Sequence, residues 1–162
     1  MYGQPKHRTT YCDEPRDIQE KEMYITAQKL GIPCIGVCRG SQFLTAMQVG
    51  GMLVQDQPNP GNHLMKTFDG KELRVTSTHH QAMYPYNMDK DDYKILGWTE
   101  NMLAFHKGGK DEELAPEKEC EIVYYPKTNC LAIQEHPEMM GFQSETNVWL
   151  RDIFDKFMKK EL

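Results

Sequence analysis

The stretch Gly36-Val37-Cys38-Arg39-Gly40-Ser41-Gln42 joins a short apolar run to a segment of helix formers, and the change of pattern at Cys38 decides how the chain is read. Ile32-Pro33-Cys34-Ile35-Gly36-Val37 has the nearly continuous apolar character of a buried parallel strand. About Gly40 to Val49 reads as the helix after it, ended by Gly50-Gly51. A glycine two places before the cysteine and another two places after it permit a sharp strand-to-helix turn, which lifts Cys38 out of the sheet as a nucleophile elbow does. The helix aims its free N–H groups and positive dipole end at the sulfur, which predicts a stabilised thiolate. An isolated cysteine reads as a core filler; the flanking glycines make this one the candidate nucleophile.

A thiol nucleophile needs a base, and Gln134-Glu135-His136-Pro137-Glu138 supplies one at the end of a second apolar run. His136 would take or hold the thiol proton. Glu138, two residues on, would accept the other ring N–H and fix the tautomer, as the third member of a nucleophilic triad does.

On the N-terminal side, residues 1–10 read as a loop, and good helix formers from about Asp17 to Leu30 predict a helix closed by Gly31 and Pro33. Beyond the elbow, the polar stretch Gln55 to Asn62 reads as a loop. Leu64 to Phe68 and Glu72 to Ser77 then flank Asp69-Gly70, a hairpin signal. Tyr93 to Trp98, Met102 to His106, Glu121 to Tyr125 and Cys130 to Gln134 read as further strands, with a charged, mobile loop expected from Lys107 to Lys118. From about Ser144 to Lys159, Val148, Trp149, Ile153, Phe154 and Phe157 recur at three- and four-residue spacing, which predicts a terminal amphipathic helix.

The length of 162 residues predicts a single domain, 1–162. A net charge of −5 without a dense basic run argues against nucleic acid. No stretch approaches about 18 consecutive apolar residues, so no membrane partner is expected; with a polar start from Tyr2 to Thr10, the expected setting is cytoplasmic. Five cysteines, Cys12, Cys34, Cys38, Cys120 and Cys130, are odd in number and lack Cys-x-x-Cys spacing, which predicts reduced thiols. His79 and His80, even with His136, Glu138 and Cys38, lack regular ligand spacing, so no metal is expected. A dinucleotide-binding domain is discarded, since no Gly-x-Gly-x-x-Gly follows a strand, and catalysis by a cysteine nucleophile needs no cofactor.

The elbow, the His-Pro-Glu tail and Ser77-Thr78-His79-His80-Gln81-Ala82 together resemble the class I glutamine amidotransferases. Within them the chain resembles the γ-glutamyl hydrolase branch, whose γ-glutamyl-γ-aminobutyrate hydrolases carry a Ser-x-His-His-Gln stretch. Arg39 and the run from Asp13 to Glu20 resemble that branch too. The resemblance implies a flavodoxin-like α/β fold: an open, mostly parallel sheet with flanking helices and an added antiparallel hairpin. It implies hydrolysis of a γ-glutamyl amide bond, in glutamine or a γ-glutamyl conjugate, through a thioester on Cys38 with His136 and Glu138 completing the triad. The Arg39 backbone N–H would form part of the oxyanion hole, and Gln42, Ser77, Thr78 and His79 would contact the substrate. The implied partners are that small molecule and, for ammonia transfer, a synthase subunit. The other association considered is a homo-oligomer.

The family supplies two strands, a helix and a Gly-Gly loop ahead of the equivalent of Tyr2-Gly3-Gln4, near which this sequence starts, so the chain reads as N-terminally truncated relative to it. That loop gives the family its second oxyanion donor, and losing one donor costs about 100- to 1000-fold in rate. The alternative reading is therefore a catalytically impaired, amidotransferase-like binding protein or subunit that needs a partner to complete the oxyanion hole. A strand ending at Val37 without a neighbour on one side also predicts an unpaired apolar edge, and with it self-association, a partner segment or a rearranged topology.

Overall fold

Asp13 and Gly31 set the ends of the first helix, α1 (Glu14–Leu30). The Asp13 carboxylate accepts from the Arg16 N–H, Pro15 sits in the first turn, and Gly31 closes the helix at a φ of 67°. Because Asp13 is the cap, α1 starts earlier than the expected Asp17. Ile32 and Pro33 lead into β1 (Cys34–Val37), which hands the chain through Cys38 to α2 (Arg39–Ala46). The structure, a computed structural model, describes residues 4, 10–55, 61–76, 78–100, 104–107, 111–114 and 118–162.

Nine more strands follow among the described residues: β2 (Met52–Gln55), β3 (His63–Thr67), β4 (Glu72–Val75), β5 (Ala82–Tyr84), β6 (Lys94–Thr99), β7 (Ala104–Lys107), β8 (Asp111–Leu114), β9 (Glu119–Tyr125) and β10 (Cys130–Ile133). They form one sheet in the order β4-β3-β6-β9-β5-β2-β7-β8, with β10 beside β9 and β1 beside β10. β1 and β10 are parallel, Cys34 opposite Cys130 and Val37 opposite Ile133. Every other described pair is antiparallel.

The α/β class with flanking helices stands, but the mostly parallel sheet is corrected to a single parallel pair among the described strands. The physical reason is connection length. Parallel neighbours need a long crossover, whereas the hairpin at Asp69-Gly70 returns β3 directly onto β4, with Lys66 opposite Glu72. β8 is a second correction, because it lies inside the stretch expected to be a loop and is held by pairing Leu114 with Ala104 and Asp111 with Lys107. The remainder of that stretch, 108–110 and 115–117, lies outside the described residues, as do 56–60 of the polar loop and most of 1–10.

β9 and β10 separate two apolar clusters. On one side α3 (Glu145–Met158), capped by Ser144, buries Trp149, Leu150, Ile153 and Phe157 against Ile122, Tyr124, Leu131 and Ile133. On the other, Phe43 and Leu44 of α2 pack with Val123, Tyr125, Cys130 and Ala132. Each such side chain contributes roughly 1.5–3 kcal/mol on burial, so these two helices fix the sheet between them. α1 is held more lightly: it buries only Asp17 fully and sets Tyr24 edge-on to Phe43 at 6.0 Å between ring centroids. β1 has no partner on its second edge among the described residues, and Ile35 and Val37 remain 45% and 37% exposed. Among the described residues the apolar edge expected from the sequence is unpaired.

Candidate active site

Cys38 occupies the junction of β1 and α2 at φ 50° and ψ −109°, a region that residues with a side chain rarely enter. The strain is held by its surroundings. The Cys38 N–H donates to the Ile133 carbonyl at 2.8 Å, and the Cys38 carbonyl accepts from the Ser41 N–H at 3.0 Å and the Ser41 hydroxyl at 2.7 Å. A Cβ on Gly36 would come within 2.4 Å of the Gly40 carbonyl oxygen, so only glycine lets α2 settle on the strand. A Cβ on Gly40 would meet nothing within 4 Å. The two-glycine expectation is thereby corrected: Gly36 carries the steric requirement, and Cys38 makes the turn itself.

The Cys38 thiol is not acidified. Burial pushes it above its ordinary value, the Arg39 N–H pulls the other way, and the Glu138 charge adds to the rise. Burial thus opposes the thiolate expected from the helix end. Such a group needs a base to become a nucleophile.

The candidate base, His136, follows the neighbouring strand. Since β1 and β10 run in register, the residue after Val37 and the turn after Ile133 leave the same end of the sheet. There His136 Nδ1 and Glu138 Oε1 are 2.7 Å apart, and the hydrogen bond to His136 holds the Glu138 carboxyl below its usual range. Thr76 donates to the His136 carbonyl at 3.1 Å, and Asn147 of α3 donates to the Pro137 carbonyl at 3.1 Å. With Nδ1–H directed to Glu138, the Nε2 lone pair is the basic site; Nε2 is buried and has no hydrogen-bond partner among the described residues.

A cavity of about 270 Å³ opens over the elbow and is bordered by Cys38, Arg39, Gln42, Gln55, Thr78, His79 and Gln81. His136 and Glu138 are not part of its wall. Gln42, expected to contact substrate, donates its amide to the Gln81 carbonyl at 2.8 Å and so pins α2 to the 79–81 segment. Thr78 is exposed at the rim. His79 is 4% exposed, both ring nitrogens lack a partner among the described residues, and burial lowers its pKa, which keeps it neutral. Ser77 lies outside the described residues. The Arg39 guanidinium points back to α1, where Asp17 and Glu20 bind it; burial opposes charge on Glu20, but Arg39 and Arg16 keep its carboxyl below the usual value.

Sequence reasoning missed a buried polar cluster behind this site. His63 Nε2 lies 2.9 Å from Glu121 Oε1, and although burial opposes it, that carboxylate raises the His63 pKa. Glu135 is fully buried with both carboxyl oxygens unpartnered among the described residues. Burial, then the Glu121 charge, holds its carboxyl well above the ordinary range, so the protonated form is favoured. The available signal was a glutamate heading the apolar run 121–125 and another beside His136. No group of three or more His, Cys, Asp or Glu side chains among the described residues is arranged to hold a metal ion.

The family model described as Peptidase C26 matches residues 1–60, a span that includes Cys38, Arg39 and Gln42 and stops short of His136. Among solved structures, a glutamine amidotransferase from Thermotoga maritima is 17% identical, with a TM-score of 0.58 over 94% of this chain and 63% of that one. The chain has the glutamine amidotransferase fold. A putative GMP synthase subunit from Thermoplasma acidophilum shares this amidotransferase-like architecture at 17% identity and a TM-score of 0.54, over 88% of this chain and 66% of that one. The chain therefore spans just under two thirds of the length of each. No curated protein matches it.

Proposed function

We propose that the chain hydrolyses the amide bond of a γ-glutamyl compound, with Cys38 as nucleophile, His136 as general base and acid, and Glu138 orienting the imidazole. The observation that carries this reading is the strained Cys38 junction, set in register with the strand that ends at the His136–Glu138 pair. His136 Nε2 removes the thiol proton, and the sulfur attacks the substrate δ-carbonyl while the Arg39 N–H faces the developing oxyanion. The imidazolium returns its proton to the leaving nitrogen, which departs as ammonia or an amine and leaves a thioester on Cys38. Water, deprotonated by His136, then attacks the thioester carbonyl and releases the acid and the free thiol. Thr78 and the partnerless ring nitrogens of His79 offer polar contacts to the glutamyl portion at the cavity wall; Ser77 is the remaining candidate there. Arg39 and the His79-His80-Gln81 run favour the γ-glutamyl hydrolase branch by resemblance.

A second reading, a binding subunit that gains activity only with a partner, draws on the raised Cys38 pKa and on the presence of a GMP synthase component in the group of similar structures. Incubating the purified chain with glutamine, a panel of γ-glutamyl amides and a glutamine-analogue alkylator separates the two. Turnover together with Cys38 labelling is the expected result. Labelling without turnover favours the partnered form, and neither labelling nor turnover overturns the hydrolytic reading.

A further inference from the structure

Two thiols that amide hydrolysis does not use face each other across the parallel strand pair. Cys34 opens β1, Cys130 opens β10, and the two are direct partners in the register. Neighbouring strands lie about 4.8 Å apart, inside the roughly 4.4–6.8 Å between Cα atoms that a disulfide spans. Both side chains belong to the cluster under α2, so they leave the same face of the sheet. The thiols are neighbours: burial pushes Cys130 up to about 12, and Cys34 adds to that rise. Their accessibility differs. Cys130 is fully buried, whereas Cys34 is only half-buried on β1. One reachable sulfur paired in register with a buried one is the arrangement of an oxidisable thiol with its resolving partner.

We propose that Cys34 and Cys130 form a reversible disulfide, made by a peroxide, that ties the strand carrying Cys38 to the strand carrying His136. The peroxide transfers one oxygen to Cys34, giving a sulfenic acid while the peroxide is reduced to its alcohol or to water. The Cys130 sulfur then attacks the Cys34 sulfur; its own proton and the sulfenic hydroxyl leave as water, and the S–S bond closes. The net change is a two-electron oxidation of two thiols, and a dithiol reductant reverses it by exchange. The bond adds a covalent tie where β1 is held by hydrogen bonds along one edge among the described residues. It closes most of the chain into a loop, which restricts the unfolded ensemble strongly.

The test is intact mass and a non-reducing peptide map of the whole chain before and after peroxide, with free thiols alkylated, alongside a melting curve. The expected product has lost the mass of two hydrogens and contains a peptide that links Cys34 to Cys130. It melts about 5 °C higher and returns to the starting form with a dithiol. A Cys34→Ala chain, altered at a half-buried position so that folding is spared, should give neither the linked peptide nor the rise. Cys34 and Cys130 both still alkylatable after peroxide would overturn the proposal. So would Cys34 halted as a sulfenic or higher acid, or Cys12 and Cys38, which border one cavity, found linked instead.

Discussion

Beneath α3, Trp149, Leu150, Ile153 and Phe157 meet Leu131 and Ile133 in an apolar layer whose buried indole N–H is satisfied by Asp69 at 3.2 Å. Across the same strands α2 buries Phe43 and Leu44 but also Ser41, Gln42 and Thr45. Those polar positions are tied by hydrogen bonds: Thr45 to the Tyr125 hydroxyl at 2.7 Å, Gln42 to the Gln81 carbonyl at 2.8 Å, and Ser41 to the Cys38 carbonyl. One face is held by area removed from water, which is non-directional and tolerant of detail. The other is held by directional bonds that fix where the Cys38 sulfur sits. Stability and chemistry are thus separable in this chain, and substitutions should divide between them.

Cys38→Ser should break the chemistry most completely, lowering turnover by about 10⁴-fold or more while the melting temperature stays within about 2 °C of the parent. A large fall in melting temperature would instead make the elbow a structural centre. His136→Ala should cost about 10²- to 10⁴-fold in turnover, again with the fold intact by circular dichroism. Phe157→Ala reverses the pattern: removing a fully buried ring should destabilise by about 3–5 kcal/mol in denaturant titration, yet leave Cys38 labelling unchanged at low temperature.

The smallest expected effect belongs to Glu135→Gln. Because burial raises the folded-state pKa of Glu135 above its unfolded value, the folded chain binds the extra proton. Stability is therefore lost as pH rises from the ordinary glutamate range toward the folded value. Melting temperatures at about pH 5 and about pH 8 should fall further for the parent than for the variant, and equal falls would remove Glu135 from the account.

The elements that reached the sequence are those with a repeating or punctuated pattern. Phe157, Ile153 and Trp149 recur at helical spacing and marked α3; Asp69-Gly70 marked the β3–β4 turn. β8 did not, because Asp111-Glu112-Glu113 has no strand preference of its own and depends on β7 for its pairing. Sheet orientation differs for a related reason: the one parallel pair among the described strands joins β1 to β10, and nothing local reports which distant strand is a neighbour. At the candidate site, the strand-to-helix junction at Cys38 and the pairing of His136 with Glu138 were legible from their surroundings in sequence. The thiol's raised pKa was not, since it follows from burial set by the whole fold, nor was the His63–Glu121–Glu135 cluster, whose members come from three separate segments.

The central claim is that the sulfur of Cys38 and the imidazole of His136 act as one unit across the β1–β10 pair, and the pH dependence of Cys38 alkylation in the parent and in His136→Ala tests it most directly. Faster reaction of the parent at neutral pH, with the variant's reactivity displaced to more alkaline pH, is the outcome this account predicts. Superimposable profiles would contradict it.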